Sequence, residues 1–311
     1  MKIFKIKKEA AGQRLDVYLV SQLNLSRSQV QKTIKNGLVF VNENITNAHN
    51  IINQADIITI HDPIAAATDA MEAEKRLIMS LTEMIVLETK EYLVINKPAG
   101  LIVHGGEGIK EETLTDLLIK QYPQIKKVGE DPLRPGIVHR LDKEVSGLLV
   151  VALTNEMFDH LKRQFIQRQV TKKYLALVHE KIEKDYDEIG FPIARSAKGY
   201  KMAARPENQT GRRAVTEFEV IKRYVNYTLL LVKIKTGRTH QIRVHLSAYG
   251  YPLVGDDLYG TKKTRLQNKK LNLGRIFLHS HILAFSDLKN EVQELKTDLP
   301  EKLLKFLEVI K

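Results

Sequence analysis

The stretch GIVHRLDKEVSGLLVVA at residues 136–152 sets a short polar loop directly before an apolar run. The run Leu148–Leu153 predicts a buried strand, because it is continuously apolar and of strand length. A loop beside such a strand rests on a rigid support, which is where catalytic groups tend to lie. Asp142 is therefore a candidate functional carboxylate. A turn-capping role for Asp142, with a surface ion pair for Arg140, explains the same loop equally well.

The residues around this stretch predict an α+β domain with a mixed, largely antiparallel sheet. Predicted strands occur in runs, and helices are interspersed between them without strict alternation. The predicted strands are 85–88, 92–96, 148–153, 174–178, 214–221 and 228–235, and the predicted helices are 114–121, 155–167, 241–249 and 300–310.

The first 62 residues predict a separate, small domain of mixed α/β content. Leu15, Leu19 and Leu23 recur at a four-residue step, and Ser26 is a candidate N-cap for a second helix. Strands are predicted at 38–42 and 57–60. Residues 63–84 change in composition to Ala, Thr, Glu and Met and predict a linker, so that the second domain covers 85–311.

Charge and composition narrow the classes of partner and chemistry. The 311 residues carry a net charge of +12, which favours a polyanion such as RNA, although a lysine-rich proteome also explains it. The absence of cysteine excludes disulfides, cysteine nucleophiles and thiolate zinc sites. Neither a signal peptide nor a long apolar span is evident, so a cytoplasmic protein with no membrane partner is expected.

A second polar segment, TGRTHQIRVHL at residues 236–246, alternates arginine and histidine with apolar residues. His240 and His245 are five residues apart, which does not match the spacing of a zinc-binding helix, and no acidic residue is near. We therefore predict no metal site. A buried arginine that pairs with Asp142 is the better use of this segment, because an opposite charge favours the ionised carboxylate.

Six motifs of the second domain resemble, in order, those of the RluA/RluD-type pseudouridine synthases, and the RluD-like branch is the more similar one. The first domain resembles the S4-like RNA-binding module. The synthase motifs are NKPAGL (96–101), HRLDKEVSGLLVVA (139–152), KKYLALV (172–178), GRTHQIRVHL (237–246), GDDLYG (255–260) and RIFLHS (275–280), and the S4-like matches are RLD (14–16), SRSQVQKTIKNG (26–37) and VFVN (39–42).

This resemblance implies a sheet of the pseudouridine synthase type and assigns roles to several residues. Asp142 is expected to be the nucleophile, Tyr174 the ring that stacks on the flipped uracil, and Arg238 the arginine that pairs with the nucleophile. Arg140 is expected to occupy the space that the flipped base leaves. Neither a metal, a nucleotide nor another cofactor is implied.

Other residues receive weaker assignments from the same resemblance. Leu278 and Ile242 are expected to form the apolar floor of the pocket, but ordinary core packing explains them equally well. Arg27, Lys32 and Lys35 are expected to face RNA from the first domain. The chain departs from the family at Glu144-Val145, Leu153 and Ser280, none of which replaces an assigned catalytic residue.

The expected function is isomerisation of uridine in structured RNA, most simply large-subunit ribosomal RNA, by a monomeric enzyme. A transfer RNA is the alternative target. An RNA-binding assembly factor without turnover is a second hypothesis, which intact Asp142, Tyr174 and Arg238 disfavour. A glycoside hydrolase would need a second carboxylate, and the loop offers only Glu144.

Overall fold

The apolar runs of the sequence become strands and helices in two units of the chain, Met1–Ile78 and Met79–Lys311. The computed structural model describes residues 2–23, 25–35, 39–60, 81–106, 111–196, 199, 201–206 and 209–310. Within these ranges, no helix has both the length and the apolar character needed to cross a membrane.

In its described residues, the first unit has a small antiparallel sheet and two α-helices. The sheet has four strands in the order β1-β4-β2-β3. Leu15, Leu19, Val30 and Ile34 are buried in one core cluster, so the predicted apolar faces of both helices are confirmed. The elements are β1 (Lys2–Lys5), a 3₁₀ turn (Lys8–Ala10), α1 (Leu15–Leu23), α2 (Arg27–Lys35), β2 (Val39–Val41), β3 (Asn44–Ile45) and β4 (Ile57–Ile60).

Strands dominate the second unit, and most of them belong to one sheet. They are β5 (Ile85–Glu88), β6 (Tyr92–Lys97), β7 (Ser146–Ala152), β8 (Thr171–His179), β9 (Tyr186–Ile189), β10 (Ile193–Arg195), β11 (Met202–Ala204), β12 (Thr216–Arg223), β13 (Tyr227–Ile234), β14 (Leu278–Ser286) and β15 (Val292–Lys296).

The large sheet is mixed and mostly antiparallel. Its nine strands follow the order β5-β6-β7-β14-β8-β13-β12-β9, with β15 also paired to β14, while β10 and β11 form a separate pair. Among the described strands, β14 with β7 is the parallel pair, and the other named pairs are antiparallel. The predicted α+β class with a mixed, largely antiparallel sheet is confirmed.

Helices pack against this sheet. In the terminal helix, Leu303 is fully buried in a cluster with Leu177 of β8 and Phe277, so this helix packs against the sheet as expected. The helices of the second unit are α3 (Leu81–Met84), α4 (Leu114–Gln121), α5 (Asn155–Gln167), α6 (Gln241–Ala248), α7 (Lys262–Leu271) and α8 (Glu301–Val309), with a 3₁₀ helix at Pro123–Lys127.

Several parts of the second unit differ from the sequence-based expectation. The elements that were not predicted are the strands β9, β10, β11, β14 and β15 and the helix α7. The last residues of the predicted linker, 81–84, form α3, and both Leu81 and Met84 are buried. This part of the range is therefore folded, whereas residues 63–80 of the predicted linker lie outside the described residues.

Candidate active site

The polar loop at 139–145 is tied down by a buried lysine. Lys97, at the end of β6, is fully buried. Its ammonium donates hydrogen bonds to the carbonyl oxygens of Pro98 and Leu101, both at 2.8 Å, and of Lys143 at 3.3 Å. Because Lys143 follows Asp142 directly, these contacts anchor the loop at the residue beside the candidate nucleophile.

Asp142 lines a cleft with a volume of about 540 Å³. Its carboxylate is mostly buried, with 16% of the side chain exposed, and it accepts a hydrogen bond from Nη1 of Arg243 at 3.2 Å. Nε2 of His240 lies 3.7 Å from the same oxygen. Burial lowers the pKa of His240, so that at neutral pH it is a polar neighbour and Arg243 supplies the counter-charge.

Arg243 is itself held by a second, deeper carboxylate. Its Nε and Nη2 donate to the two oxygens of Asp256 at 2.7 and 3.1 Å, a bidentate pair. Arg243 is 5% exposed and Asp256 is 1% exposed. Asp256 also accepts hydrogen bonds from the backbone amides of Leu258 and Tyr259. One guanidinium group therefore joins two carboxylates, and Asp256 sets its orientation toward Asp142.

The expected pairing of Arg238 with Asp142 is wrong in this structure. Arg238 Nε donates to the carbonyl oxygen of Arg213 at 3.2 Å, while Arg243 makes the ion pair. Arg238 lies in the turn before α6, whereas Arg243 lies within the helix. Most residues of this helix are buried, so its sequence shows no separate polar and apolar faces. The pattern therefore could not indicate which arginine points at the loop.

Tyr174 lines the same cleft from the strand β8. It is 5% exposed, and burial raises the pKa of its phenol, as does the charge of Asp142 to a smaller extent. Its partners across the sheet are Ser280 on β14 and Val232 on β13. The hydroxyl group is therefore protonated at neutral pH, and the side chain lines the cavity that Asp142 also lines.

The remaining residues predicted for the second domain also line this cleft. Arg140 is exposed at its mouth, while Ile242 and Leu278 are 5% and 3% exposed in its wall. With Asp142, Tyr174 and Arg238, these side chains come from separate segments of the chain. The structure brings together all six residues in one cavity, although it changes the partner assigned to one of them.

His139 supports the loop from within. Its Nε2 accepts a hydrogen bond from the backbone amide of Val150 at 3.0 Å, which leaves the proton on Nδ1. Its ring stacks on Phe165 with 4.7 Å between ring centroids. Burial lowers the pKa of His139 to about 3, so it stays neutral and has a structural role. Its position in the motif gave no sign of this role, because Phe165 comes from the distant helix α5.

The residues predicted to face RNA from the first unit are only partly described. Arg27 is 56% exposed and its Nε forms an ion pair with the buried Asp16 at 3.2 Å. Asp16 also pairs with Arg14 and accepts from Gln31, and the hydrogen bond from Arg14 is the main reason that its pKa is strongly lowered. Lys32 lies in α2, as does Lys35, and both side chains are outside the described part of the structure.

Comparison with family models gives two matches on this chain. Residues 91–248 match the model described as RNA pseudouridylate synthase, and residues 13–58 match the S4 domain. The first match covers the polar loop, β8 and α6, and the second covers both helices of the first unit. The predicted S4-like domain at the N-terminus is thereby confirmed.

Curated relatives are similar to this chain over nearly its full length. The RNA pseudouridine synthase YlyB of Bacillus subtilis is 36% identical over 302 residues, which are 96% of this chain and 95% of the relative. The ribosomal large subunit pseudouridine synthase D of Haemophilus influenzae is 34% identical over 318 residues, with 99% of this chain and 94% of the relative covered.

A solved structure shows a related fold. The structure of human RNA pseudouridylate synthase domain containing 4 matches with a TM-score of 0.59 and 27% sequence identity. The match covers 79% of this chain and 97% of the human chain.

Proposed function

The chain belongs to the family of RNA pseudouridine synthases, and from this membership we propose that it converts uridine to pseudouridine in large-subunit ribosomal RNA with Asp142 as nucleophile. The observation that carries the proposal is the ion pair of Asp142 with Arg243 inside a cleft that Tyr174 also lines. This arrangement combines an anionic nucleophile with a surface on which a base can stack.

The reaction is an isomerisation that the residues of the cleft can perform alone. The bond between N1 and C1′ breaks, the uracil turns, and a bond between C5 and C1′ forms. C5 loses one proton and N1 gains one, so no atom, electron or water molecule is consumed. The site must therefore supply a nucleophile, control of the freed base and a route for one proton.

Asp142 is suited to the nucleophilic step by its neighbours. Arg243 holds the carboxylate in one orientation and balances its charge, while Asp256 fixes Arg243 from behind. A carboxylate that is oriented before substrate binds loses less freedom in the transition state. Attack at C1′, attack at C6 and a glycal route all use this same group.

Tyr174 contributes its ring more directly than its hydroxyl group. Burial and the nearby charge of Asp142 raise the pKa of the phenol, so the phenolate is scarce at neutral pH. Stacking on uracil requires only the ring. We therefore assign Tyr174 to holding the base, and removal of the C5 proton by its oxygen would need the proton to be passed onward at the same time.

The target base must leave the RNA stack to reach this site. Asp142 lies inside the cleft, and a uridine within a helix cannot place its sugar there. Arg140 lies at the mouth, two residues before Asp142, and a planar guanidinium can stack in the gap that the base leaves. The assignment to large-subunit ribosomal RNA rests on relatives that carry that substrate in their names.

The experiment that tests this function maps pseudouridine across total RNA. Three strains are compared: one with the intact chain, one without it, and one with Asp142→Asn. We expect the same site or sites to vanish in the second and third strains, because the amide is no nucleophile. Sites in transfer RNA instead of ribosomal RNA would correct the target and keep the activity.

A neighbouring carboxylate supplies the matched control. Glu144 is half exposed and lies 3.9 Å from Arg243, and Glu144→Gln should leave modification unchanged. If no site is lost on deletion, the chain has no synthase activity and the assembly-factor hypothesis replaces it. If sites are lost on deletion but kept with Asp142→Asn, another group is the nucleophile.

A further inference from the structure

Lys172 is a buried cation that the reaction described above does not use. It lies on β8 two residues before Tyr174, so both side chains point to the same face of the strand. Lys172 is 9% exposed and lines the cleft of Asp142. Its ammonium lies 5.2 Å from the centroid of the Phe165 ring.

This ammonium group has no anionic partner. Among the residues that the structure describes, Lys172 Nζ has neither a hydrogen bond nor an ion pair. It makes a cation–π contact with the ring of Phe165. Burial lowers its pKa to about 8, so it still carries its charge at neutral pH. A buried charge without a partner is unfavourable, and an anion that enters the cleft would compensate it.

The space beside Lys172 is open because the neighbouring segment contributes a glycine. A Cβ atom at Gly237 would lie 3.7 Å from Lys172 Nζ, so the ammonium group is next to the backbone at that residue. Any longer side chain at this position would extend over the amine. Gly237 therefore leaves the amine accessible from the cleft.

The wall beyond Gly237 is positively charged. Arg238 and Arg168 line the same cleft. Burial is the largest cause that lowers the pKa of Arg238, and the charges of Arg212 and Arg168 lower it further. Asp142 is the one acidic residue among the described side chains that line the cleft, and Arg243 already pairs with it. Apart from Asp142, an anion that enters this cleft therefore meets only cationic or neutral side chains among the described residues.

We propose that Lys172 binds a non-bridging oxygen of the phosphodiester beside the flipped uridine, with Arg168 and Arg238 continuing this anion site toward the mouth of the cleft. Two residues along a strand separate Lys172 from Tyr174 by about 7 Å. This is comparable with the distance from base to phosphate within one nucleotide. Tyr174 would then hold the base while Lys172 holds the backbone of the same nucleotide.

This inference rests on the proposed function, and a double-substitution cycle tests it. The substrate is a synthetic RNA stem-loop around the mapped uridine, prepared with natural phosphates or with one neutral methylphosphonate next to that uridine. We expect Lys172→Met to raise KM roughly 10- to 100-fold, with a smaller change in kcat. The methylphosphonate should cost the wild-type protein a similar factor and cost Lys172→Met little more.

The control is the next residue of the same strand. Lys173 points to the opposite face of the sheet, and Lys173→Met should leave both KM and the effect of the methylphosphonate unchanged. Lys172→Gln keeps a polar end and should show the same rise in KM and the same insensitivity to the methylphosphonate as Lys172→Met. Agreement between the two variants excludes a folding defect of one of them as the cause.

Two outcomes would overturn the inference. Costs that simply add for the variant and the methylphosphonate, at either flanking phosphate, mean that the two groups do not meet. A fall in kcat with unchanged KM means that the ammonium acts on the uracil. Both outcomes require turnover by the wild-type protein, so they are distinct from failure of the proposed function, in which the natural stem-loop is not modified at all.

Discussion

At the scale of single residues, Asp256 determines where Arg243 can place its charge. It is fully buried and receives two hydrogen bonds from Arg243 and two from the backbone. Without it, Arg243 would keep only the more exposed carboxylates of Asp142 and Glu144 as anionic partners and would lose the group that fixes its orientation. The orientation of Asp142, the proposed nucleophile, therefore depends on a carboxylate that does not line the cleft.

We predict that Asp256→Asn lowers the free energy of unfolding by about 3 kcal/mol, because the change leaves a buried arginine without its main counter-charge. The rate of turnover at saturating RNA should fall at least about tenfold, since Arg243 no longer orients Asp142. Chemical denaturation and single-turnover kinetics measure the two effects.

Asp257, the next residue, is the control that distinguishes loss of the ion pair between Asp256 and Arg243 from loss of any carboxylate at this point of the chain. Asp257 is exposed and accepts a hydrogen bond from Asn268. Asp257→Asn should change stability by about 0.5 kcal/mol or less and leave the rate unchanged. Equal effects of the two substitutions would contradict the assignment of Asp256 as the positioning residue.

Lys172 is expected to lower the free energy of unfolding of the protein. Burial lowers its pKa from 10.5 to about 8, so at neutral pH the charged amine costs stability. We predict that Lys172→Met raises the free energy of unfolding at pH 7 by up to about 3 kcal/mol. A residue that destabilises the free protein and strengthens RNA binding is typical of a functional site.

The pH dependence of this effect has a definite sign. Between pH 8 and 10.5 the unfolded chain keeps the proton on Lys172 and the folded chain releases it, so wild-type stability rises with pH in this window. The advantage of Lys172→Met should therefore shrink from pH 8 upward. Denaturation curves measured across this range check it, and a constant difference would contradict the buried-charge explanation.

At the scale of elements, β7 begins directly after the polar loop that contains Asp142, and its first residues pair with β14. Gly147 has a φ of +114°, and a Cβ atom there would lie 2.2 Å from the carbonyl oxygen of Ser280. The two strands are parallel at this point, with Ser280 opposite Gly147. Backbone contact this close is possible only without a side chain.

We predict that Gly147→Ala lowers the free energy of unfolding by at least about 3 kcal/mol, because both the positive φ and the clash with β14 oppose it. Gly250→Ala is the matched control, since Gly250 has a φ of +98° with no atom within 4 Å of the added Cβ. It should cost only about 1–2 kcal/mol. Thermal unfolding of both variants measures the difference, and equal losses would show that contact with Ser280 is unimportant.

At the scale of the whole molecule, each of the two units has a hydrophobic core of its own. The cluster around Leu15, Leu19 and Val30 consists of residues of the first unit, and the cluster around Leu177, Phe277 and Leu303 consists of residues of the second. A unit with its own core can fold by itself. The S4 domain is therefore expected to add RNA affinity without being required for the catalytic fold.

We predict that the second unit alone, Met79–Lys311, unfolds at the same temperature as it does in the full chain. It should bind RNA more weakly than the full chain. The slope of log affinity against log salt should become shallower by roughly 0.7–0.9 for each phosphate group that the S4 domain neutralises in the full chain. Differential scanning calorimetry and binding measured at several salt concentrations test this. An unchanged slope would mean that the first unit neutralises no phosphate of the RNA.

Much of the fold follows from local patterns. The helices predicted near 114–121 and 155–167 are confirmed as Leu114–Gln121 and Asn155–Gln167, and the structure shows a threonine N-cap before each of them. Strand β14 was missed, although it lies between β7 and β8. Its sequence LHSHILAFS mixes buried histidine and serine with apolar residues, because the strand is buried on both faces and partners from other segments bind Nδ1 of His279, Oγ of Ser280 and Nδ1 of His281.

The sequence by itself, through its motifs, determined which residues to expect at the site: a carboxylate at Asp142 in a loop before a buried strand, with a tyrosine and an arginine from later motifs. Only the tertiary structure decided that the arginine paired with Asp142 is Arg243 and not Arg238, that Asp256 holds it, and that Lys172 forms no ion pair with any residue in the described ranges. The physical reason is one of range. Periodicity and turn chemistry act over a few neighbouring residues, whereas Arg243 and Asp142 are 101 residues apart and meet only when the sheet and α6 assemble.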